Sequence, residues 1–421
     1  MNNFNRELSR RLDALCARGL HRELRRVNSF QGAHIQMGGQ TFLNFSSNDY
    51  LGFANDPILK EAAVKAVEKF GTGSGASRLV CGSLAPHHEL EEALAAFKNT
   101  GAALTFSSGY AAAVGTICAL LGKDDIIVLD KLVHASVVDA ARLCGAKLRV
   151  FAHNDLNNLE DILKWANRKD GRREPKTSVP TTSGTRITRP SERKRRTLVV
   201  TESIFSMDGD AAPLREIATL KEKYGAWLMV DEAHATGLYG KNRRGLAEEL
   251  GVSERIEIQM GTLGKALGAS GGFICGSRTL IDFLVNHARS FIFSTAPVPA
   301  AAAAATAGVR LVQSNKGEKR RKMLWTRVRE FQLQIGNTAS RVRSHKPAIP
   351  SAIVPIMIGD EKKALKIAAA LHERGIFVPA IRYPTVARGK ARLRVTLTAT
   401  HTTEEINLLV ATLKEIVNRK S

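Results

Sequence analysis

Three short segments carry side chains whose types and spacing suit covalent and proton-transfer chemistry. WLMVDEAH (227–234) runs an apolar stretch into Asp231, Glu232 and His234. MGTLGKALGASGG (260–272) sets Lys265 among Thr262, Gly264 and Gly268. Glycines let backbone and a bulky ligand approach closely, and an amine that must form an imine needs such access and a pKa lowered by its surroundings. FSSGYAAA (106–113) puts Gly109 and Tyr110 where a helix would begin, with free backbone N–H groups that could hold a phosphate. His134 in DKLVHASVVD (130–139) and Ser206 in SIFSMDGD (203–210) each follow an apolar run. Singly, each has a plain structural alternative: solvated acids at a strand end, an incidental lysine in a turn, a structural histidine, a capping serine. Together they repeat one arrangement at least four times, a strand followed by a polar side chain. The DEAH string also matches a helicase motif, but that reading needs a phosphate loop G-x-x-x-x-G-K-S/T, which the sequence lacks.

The elements that must position these residues follow from the hydrophobic pattern. Apolar runs at 126–129, 198–201, 227–230, 256–260 and 272–275 read as buried strands, and helical patterns such as 213–224 separate several of them. Such alternation predicts an α/β domain with a mostly parallel sheet and a ligand site at the carboxyl ends of its strands. The uncharged run 101–122 holds four glycines and reads as a buried helix-and-turn segment, not a membrane span. Six alanines at 300–305, behind Pro297 and Pro299, open a helix. From about 310 the character changes. A basic helical stretch, a strand at 352–357, a helix at 362–374, strands at 376–381 and 391–397 and a final helix form a smaller α+β domain. Thr402 and Glu405 make a capping box for that last helix, with Ile406, Leu409, Leu413, Ile416 and Val417 as its apolar stripe. The predicted division is an N-terminal arm (1–45), a large domain (46–295) and a small C-terminal domain (296–421).

The balance of 44% hydrophobic and 24% charged residues over 421 positions excludes a disordered chain, a collagen-like rod and a coiled coil. The first residues lack the apolar core of a secretion signal, so a cytoplasmic location is expected. Cysteines 16, 81, 118, 144 and 275 are odd in number and scattered without a CxxC, which suits a reducing compartment and excludes a zinc ribbon or disulfide scaffold. The net charge is +22, and residues 168–196 alone hold eleven Lys/Arg against three Asp/Glu. That segment reads as a flexible surface insertion. It contains no aromatic residue to stack on bases, so nucleic acid is not an expected partner, and neither is a membrane.

Taken with LNFSSNDYLGF (43–53), GTGSGASRLVCGS (71–83), TESIFSMDGDAAPL (201–214), VDEAHATGLYGKNRRG (230–245), GTLGKALG (261–268), FSTAP (293–297) and ARLRVTLTATHT (391–402), the chain resembles the α-oxoamine synthases over nearly its whole length. These are fold-type I pyridoxal-phosphate enzymes that join an amino acid to an acyl thioester. AIRYPTVARGKARLR (380–394) is most similar to the members that make 8-amino-7-oxononanoate, with Tyr383 and Ala387 in place of two prolines of that pattern. The resemblance implies a seven-stranded, mostly parallel sheet in the large domain, and a homodimer. It implies that Lys265 forms the imine with pyridoxal 5′-phosphate and moves the Cα proton. Asp231 would pair with the ring nitrogen, His234 with the ring hydroxyl, and His134 would stack on the ring and touch substrate. Gly109, Tyr110 and Thr262 would hold the phosphate, and Ser206 would bond the cofactor. Ser294 or Thr295 would reach the neighbouring subunit's phosphate. Arg394, with Asn48, would hold the amino-acid carboxylate. Arg22 and Thr385 match substrate-binding positions, whereas Arg392 reads as a surface cation. No metal is implied. The expected reaction condenses L-alanine with a pimeloyl thioester on coenzyme A or acyl carrier protein, whose acidity suits a basic rim. The alternatives are a family member that uses glycine or serine, of the 2-amino-3-ketobutyrate ligase, 5-aminolevulinate synthase or serine palmitoyltransferase type. A non-catalytic homologue is a different class, and the joint presence of Lys265, Asp231, His234 and His134 argues against it.

Overall fold

The computed structural model describes residues 2–167, 195–336, 343–344 and 349–418. Its contacts divide the chain into two compact units: Asp56–Ser206 with Asp210–Arg321, and Met1–Asn55 with Met207–Gly209 and Lys322–Ser421. The sequence boundaries placed 46–55 in the large domain and 296–321 in the small one. Pairing and packing reverse both assignments. The strand Gln40–Asn44 runs parallel to Ile376–Phe377, and beyond it the Ser46 hydroxyl donates to the Phe377 carbonyl (3.0 Å) and the Ala399 N–H to the Tyr50 carbonyl (2.8 Å), all within the C-terminal unit; the helix Pro299–Gln313 packs on the helices Pro57–Phe70 and Ala85–Lys98.

The larger unit is built on seven strands: β1 (Ala102–Phe106), β2 (Ile126–Asp130), β3 (Lys147–Phe151), β4 (Thr197–Glu202), β5 (Trp227–Asp231), β6 (Ile258–Thr262) and β7 (Gly272–Gly276). Their order is β1-β7-β6-β5-β4-β2-β3. β7 is antiparallel to both neighbours, and the pairs from β6 to β3 are parallel. All five predicted strands are present. β1 and β3 were not anticipated: β1 begins with alanines inside the segment read as helix-and-turn, and β3 is an edge strand with charged, exposed positions. β2, β4 and β5 are buried almost throughout, as strands inside a parallel sheet are. The consequence for function is positional. Asp130, Glu202, Asp231 and Thr262 are the last residues of four strands that share one direction.

In the smaller unit the strands Arg343–Ser344, Ile353–Gly359, Ala391–Thr396 and Ala380–Ile381 form an antiparallel sheet. The single strand expected at 376–381 is two, Ile376–Phe377 and Ala380–Ile381, which join different sheets. Pro379 between them has no N–H to continue a ladder. The capping box forms as expected: Thr402 N–H donates to Glu405 Oε2 (2.8 Å) and Glu405 N–H to Thr402 Oγ1 (3.2 Å). Ile406, Leu409 and Leu413 are buried beneath it. The insertion predicted at 168–196 falls outside the described residues up to 194; at its end Arg196 pairs with buried Asp125 (2.8 Å). Of the cysteines, Cys16 and Cys81 are exposed rather than core, and Cys275 is buried. Burial pushes the thiols of Cys118 and Cys275 up to about 11 and about 12, which leaves them inert as nucleophiles. Among the described residues no helix is long and apolar enough to cross a membrane.

One ion pair lies wholly inside the larger unit. Lys98 and Glu232, 0% and 1% exposed, meet at 2.5 Å, and Glu232 Oε1 accepts the Ala247 N–H at 2.9 Å. Removing one partner strands the other charge in low dielectric. Lys98→Ala is expected to cost about 3–5 kcal/mol in chemical denaturation; a loss below ~1 kcal/mol would show that water reaches the pair.

Candidate active site

The strand ends gather the predicted residues of the larger unit. β5 ends at Asp231, which is 6% exposed, and its carboxylate accepts the Ala233 N–H at 2.8 Å. Three residues on, buried His234 places Nε2 2.8 Å from Lys265 Nζ. Lys265 itself leaves β6 in the glycine-rich turn, so the amine is held by a hydrogen bond yet approachable. His134 follows β2 and caps the helix Ala135–Leu143, its Nδ1 accepting the Ser136 N–H at 3.2 Å. Solvent reaches one side of this ring. Desolvation by its neighbours lowers its pKa, Lys265 adds to that effect, and Asp231 opposes it. Burial raises the pKa of Asp231, while Lys265 and the Ala233 N–H favour its ionised form.

The residues expected to hold a phosphate form a cradle. Gly109 opens the helix Gly109–Leu120 behind its N-cap Ser108. A Cβ at Gly109 would lie 2.6 Å from Thr262 Cγ2, and one at Gly272 would lie 2.6 Å from the Gly109 nitrogen. Backbone and strand end therefore meet only because these positions are glycine. The Tyr110 hydroxyl is tied to Asp139 (3.0 Å) on a neighbouring helix, which leaves its backbone N–H as the group that can serve the cradle. Thr262 Oγ1 is buried without a hydrogen-bond partner. A buried orphan hydroxyl beside a helix N-terminus fits an anionic group, a buried carboxylate fits a protonated ring nitrogen, and an accessible amine fits an aldehyde. The residues present thus fit pyridoxal 5′-phosphate. Thr295 pairs in a bridge with Ser77, which anchors the FSTAP segment beside the glycine-rich 71–83 stretch. A cavity of about 1020 Å³ lies elsewhere: Trp227, Ile258 and Gly101 line it at the amino ends of the strands.

The smaller unit brings two further predicted pairs together. Arg394 is 5% exposed and donates to Asn48 Oδ1 (3.1 Å) and Thr396 Oγ1 (2.8 Å). Arg22 donates to Thr385 Oγ1 at 3.4 Å. Arg392 is not the surface cation expected from the sequence. It is as buried as Arg394, and its guanidinium is committed to Asp208, because alternate residues of a strand covered on both faces are all buried.

Residues 40–413 match the model of the aminotransferase class I and II family. The chain belongs to this family. Within the class I and II aminotransferases it is 45% identical to an 8-amino-7-oxononanoate synthase of Anaeromyxobacter dehalogenans, over 96% of this chain and 94% of that protein. A synthase of the same name from Geotalea daltonii is 44% identical over 99% and 98%. Among solved structures, a serine palmitoyltransferase from S. paucimobilis with a bound PLP–myriocin aldimine superposes with a TM-score of 0.85, at 29% identity, over 97% and 96% of the two chains. The likeness to the α-oxoamine synthases read from the motifs, and the seven-stranded fold it implied, both hold.

One residue of the site was missed. Glu202 ends β4 directly beside Asp231 in the strand register. It is 2% exposed, its Oε2 accepts the Ser206 N–H at 3.2 Å, and its Oε1 has no partner. Its signal was present in TESIFSMDGD, but a strand-terminal acid reads as solvated until a neighbouring strand is laid against it. Burial raises its pKa to about 8, Asp231 adds to the rise, and Lys265 opposes it. Two carboxylates side by side do not both ionise. Asp231 has the Ala233 N–H and Lys265 to favour its charge, so Glu202 holds the proton.

Two outcomes follow. A folded-state pKa above the ordinary 4.5 contributes stability that is full below that value and is lost as pH rises to about 8. The apoprotein should therefore lose stability between about pH 4.5 and 8, and Glu202→Gln should flatten that slope in urea titrations; parallel slopes would refute it. Gly109→Ala should weaken pyridoxal phosphate binding by about tenfold or more through the Thr262 clash, read by equilibrium dialysis.

Proposed function

We propose that this chain catalyses the decarboxylating condensation of L-alanine with a pimeloyl thioester to give 8-amino-7-oxononanoate, a step of biotin biosynthesis, with pyridoxal 5′-phosphate as cofactor. The observation that carries the chemistry is the Lys265 amine 2.8 Å from His234 beside buried Asp231. The likeness to oxononanoate synthases at 44–45% identity over nearly the full chain supports the choice of substrates. The glycine- and serine-using alternatives have no comparable support.

Bound pyridoxal phosphate supplies the electron sink for carbanion formation and decarboxylation. The chain's residues do the rest. Lys265 is the amine that would attach the cofactor and the base that would remove the proton from alanine Cα. That carbon then attacks the thioester carbonyl, the thiol leaves, CO2 is lost, and Lys265 returns a proton to the same carbon. Asp231 carries the negative charge that keeps the ring nitrogen protonated. His234 would hold the ring hydroxyl, His134 would stack on the ring and contact substrate, and Ser206 would bond the cofactor. The N–H groups of Gly109 and Tyr110, with Thr262, hold the phosphate. Arg394 takes the alanine carboxylate in two-pronged fashion with Asn48 beside it, and Arg22 and Thr385 contact substrate. The working form is a cytoplasmic homodimer in which Ser294 or Thr295 serves the neighbouring subunit's phosphate. The basic surface draws in an acidic acyl carrier protein or coenzyme A.

Lys265→Ala should lower product formation by at least about 10²–10⁴-fold with the fold intact. Cofactor-dependent product from that variant would sink the proposal. Arg394→Lys should raise KM for alanine by roughly 10–100-fold, since an ammonium cannot replace the bidentate contact. If glycine or serine outcompeted alanine in product analysis, the substrate assignment would move within the family.

A further inference from the structure

Between the turns that carry His134 and Ser206 lies a histidine that the reaction does not use. His153 follows β3, and both of its ring nitrogens meet carboxylates: Nδ1 is 2.9 Å from Asp130 Oδ1 and Nε2 is 2.7 Å from Asp210 Oδ2. An ionised carboxylate only accepts, so each ring nitrogen must bring a hydrogen, and the ring is an imidazolium. Asp130 is fully buried at the end of β2. Its two oxygens also accept the N–H groups of Leu132 (2.8 Å) and Asn154 (2.9 Å), which fixes the turn that runs on to His134. Asp210 closes the turn that carries Ser206. The Phe205 N–H donates to the Asp210 carbonyl at 2.9 Å, and Ile204 bridges to Ala211. The Asn154 amide, on a residue in left-handed backbone conformation (φ 56°), donates to Asp210 Oδ2 (3.2 Å) and to the Ala211 carbonyl (3.1 Å). The Phe205 ring stands edge-on to the imidazole at 4.4 Å.

We propose that His153 is a positioning residue, a permanently charged clamp between Asp130 and Asp210 that locks the His134 turn to the Ser206 turn and so keeps the cofactor-facing wall of the site in shape. This rests on the reading of His134 and Ser206 given above. Burial opposes the charge, but the hydrogen bonds to Asp130 and Asp210 outweigh it and hold the imidazolium at a pKa of about 10. Those two aspartates are the charged groups that meet the ring; Phe205 and Asn154 supply its other contacts. With the folded value above the ordinary 6.5, the clamp's contribution is full below that pH and is lost as pH rises through about 10.

The test has two arms. Long-range proton–nitrogen NMR spectra of wild-type apoprotein should show both His153 nitrogens protonated from about pH 6 to 9; a neutral tautomer at about pH 7 overturns the clamp without any variant. Pyridoxal phosphate affinity is then measured for wild type, His153→Gln and Asp210→Asn. His153→Gln should bind about tenfold or more weakly at every pH. Asp210→Asn keeps an acceptor for Nε2–H but removes a charge that holds the proton. It should match wild type near pH 6 and lose about tenfold by pH 9, a pH dependence that damaged packing alone would not produce. Wild-type affinity in His153→Gln, or a pH-independent Asp210→Asn, overturns the proposal. A wild-type protein that bound no pyridoxal phosphate would overturn the reading of the site instead, and the ring-protonation arm would still decide the clamp.

Discussion

Parallel strands bring their last residues to one end of a sheet, and here that end is crowded with buried acid. Asp130, Glu202 and Asp231 close three adjoining strands, all at most 6% exposed, and Glu232 follows at once. Carboxylates in low dielectric repel one another and lack water, so each must be neutralised, and the sequence supplies a different answer for each. Asp130 takes an imidazolium, Glu232 takes Lys98, Glu202 keeps its proton, and Asp231 retains a charge steadied by Lys265 and a backbone N–H. Of these four, Asp231 is the one whose charge the proposed pairing with a protonated ring requires. Cation placement in the larger unit follows from this sharing of protons.

The same strand ends leave little room, and the cradle at the helix Gly109–Leu120 exists because of it. Gly109 and Gly272 let backbone pass backbone where a methyl group would collide. The result is a helix N-terminus with an unsatisfied Thr262 hydroxyl beside it, electropositive and closed to larger side chains. In the smaller unit the logic is reversed. Arg392 and Arg394 are equally buried on one strand, but the Arg392 guanidinium meets the Asp208 carboxylate, whereas Arg394 donates to Asn48 and Thr396. Burial alone does not distinguish the two.

Much of this was readable along the chain because it is local. The apolar runs of strand length in the larger unit, the proline before the alanine helix and the Thr402–Glu405 box depend on neighbours within a few positions, and each appears where expected. Lys265, Asp231, His234 and the Gly109 turn were legible for the same reason: an unusual residue stood at a strand end in a short, distinctive string. What the sequence left undecided depends on residues far apart in number. Whether Glu202 is solvated or forced neutral rests on β4 lying against β5. Whether Arg392 is a surface cation or a buried ion-pair partner rests on Asp208, some 180 residues away. The role of His153 rests on two aspartates that only strand order brings together, and the N-terminal residues join the C-terminal unit through a pairing between Gln40–Asn44 and Ile376–Phe377. Sequence determined which chemical groups are present and which short elements carry them, because propensity and capping act over a few residues. Tertiary structure decided their charge states and partners, because desolvation and Coulomb terms depend on distance in space and not along the chain.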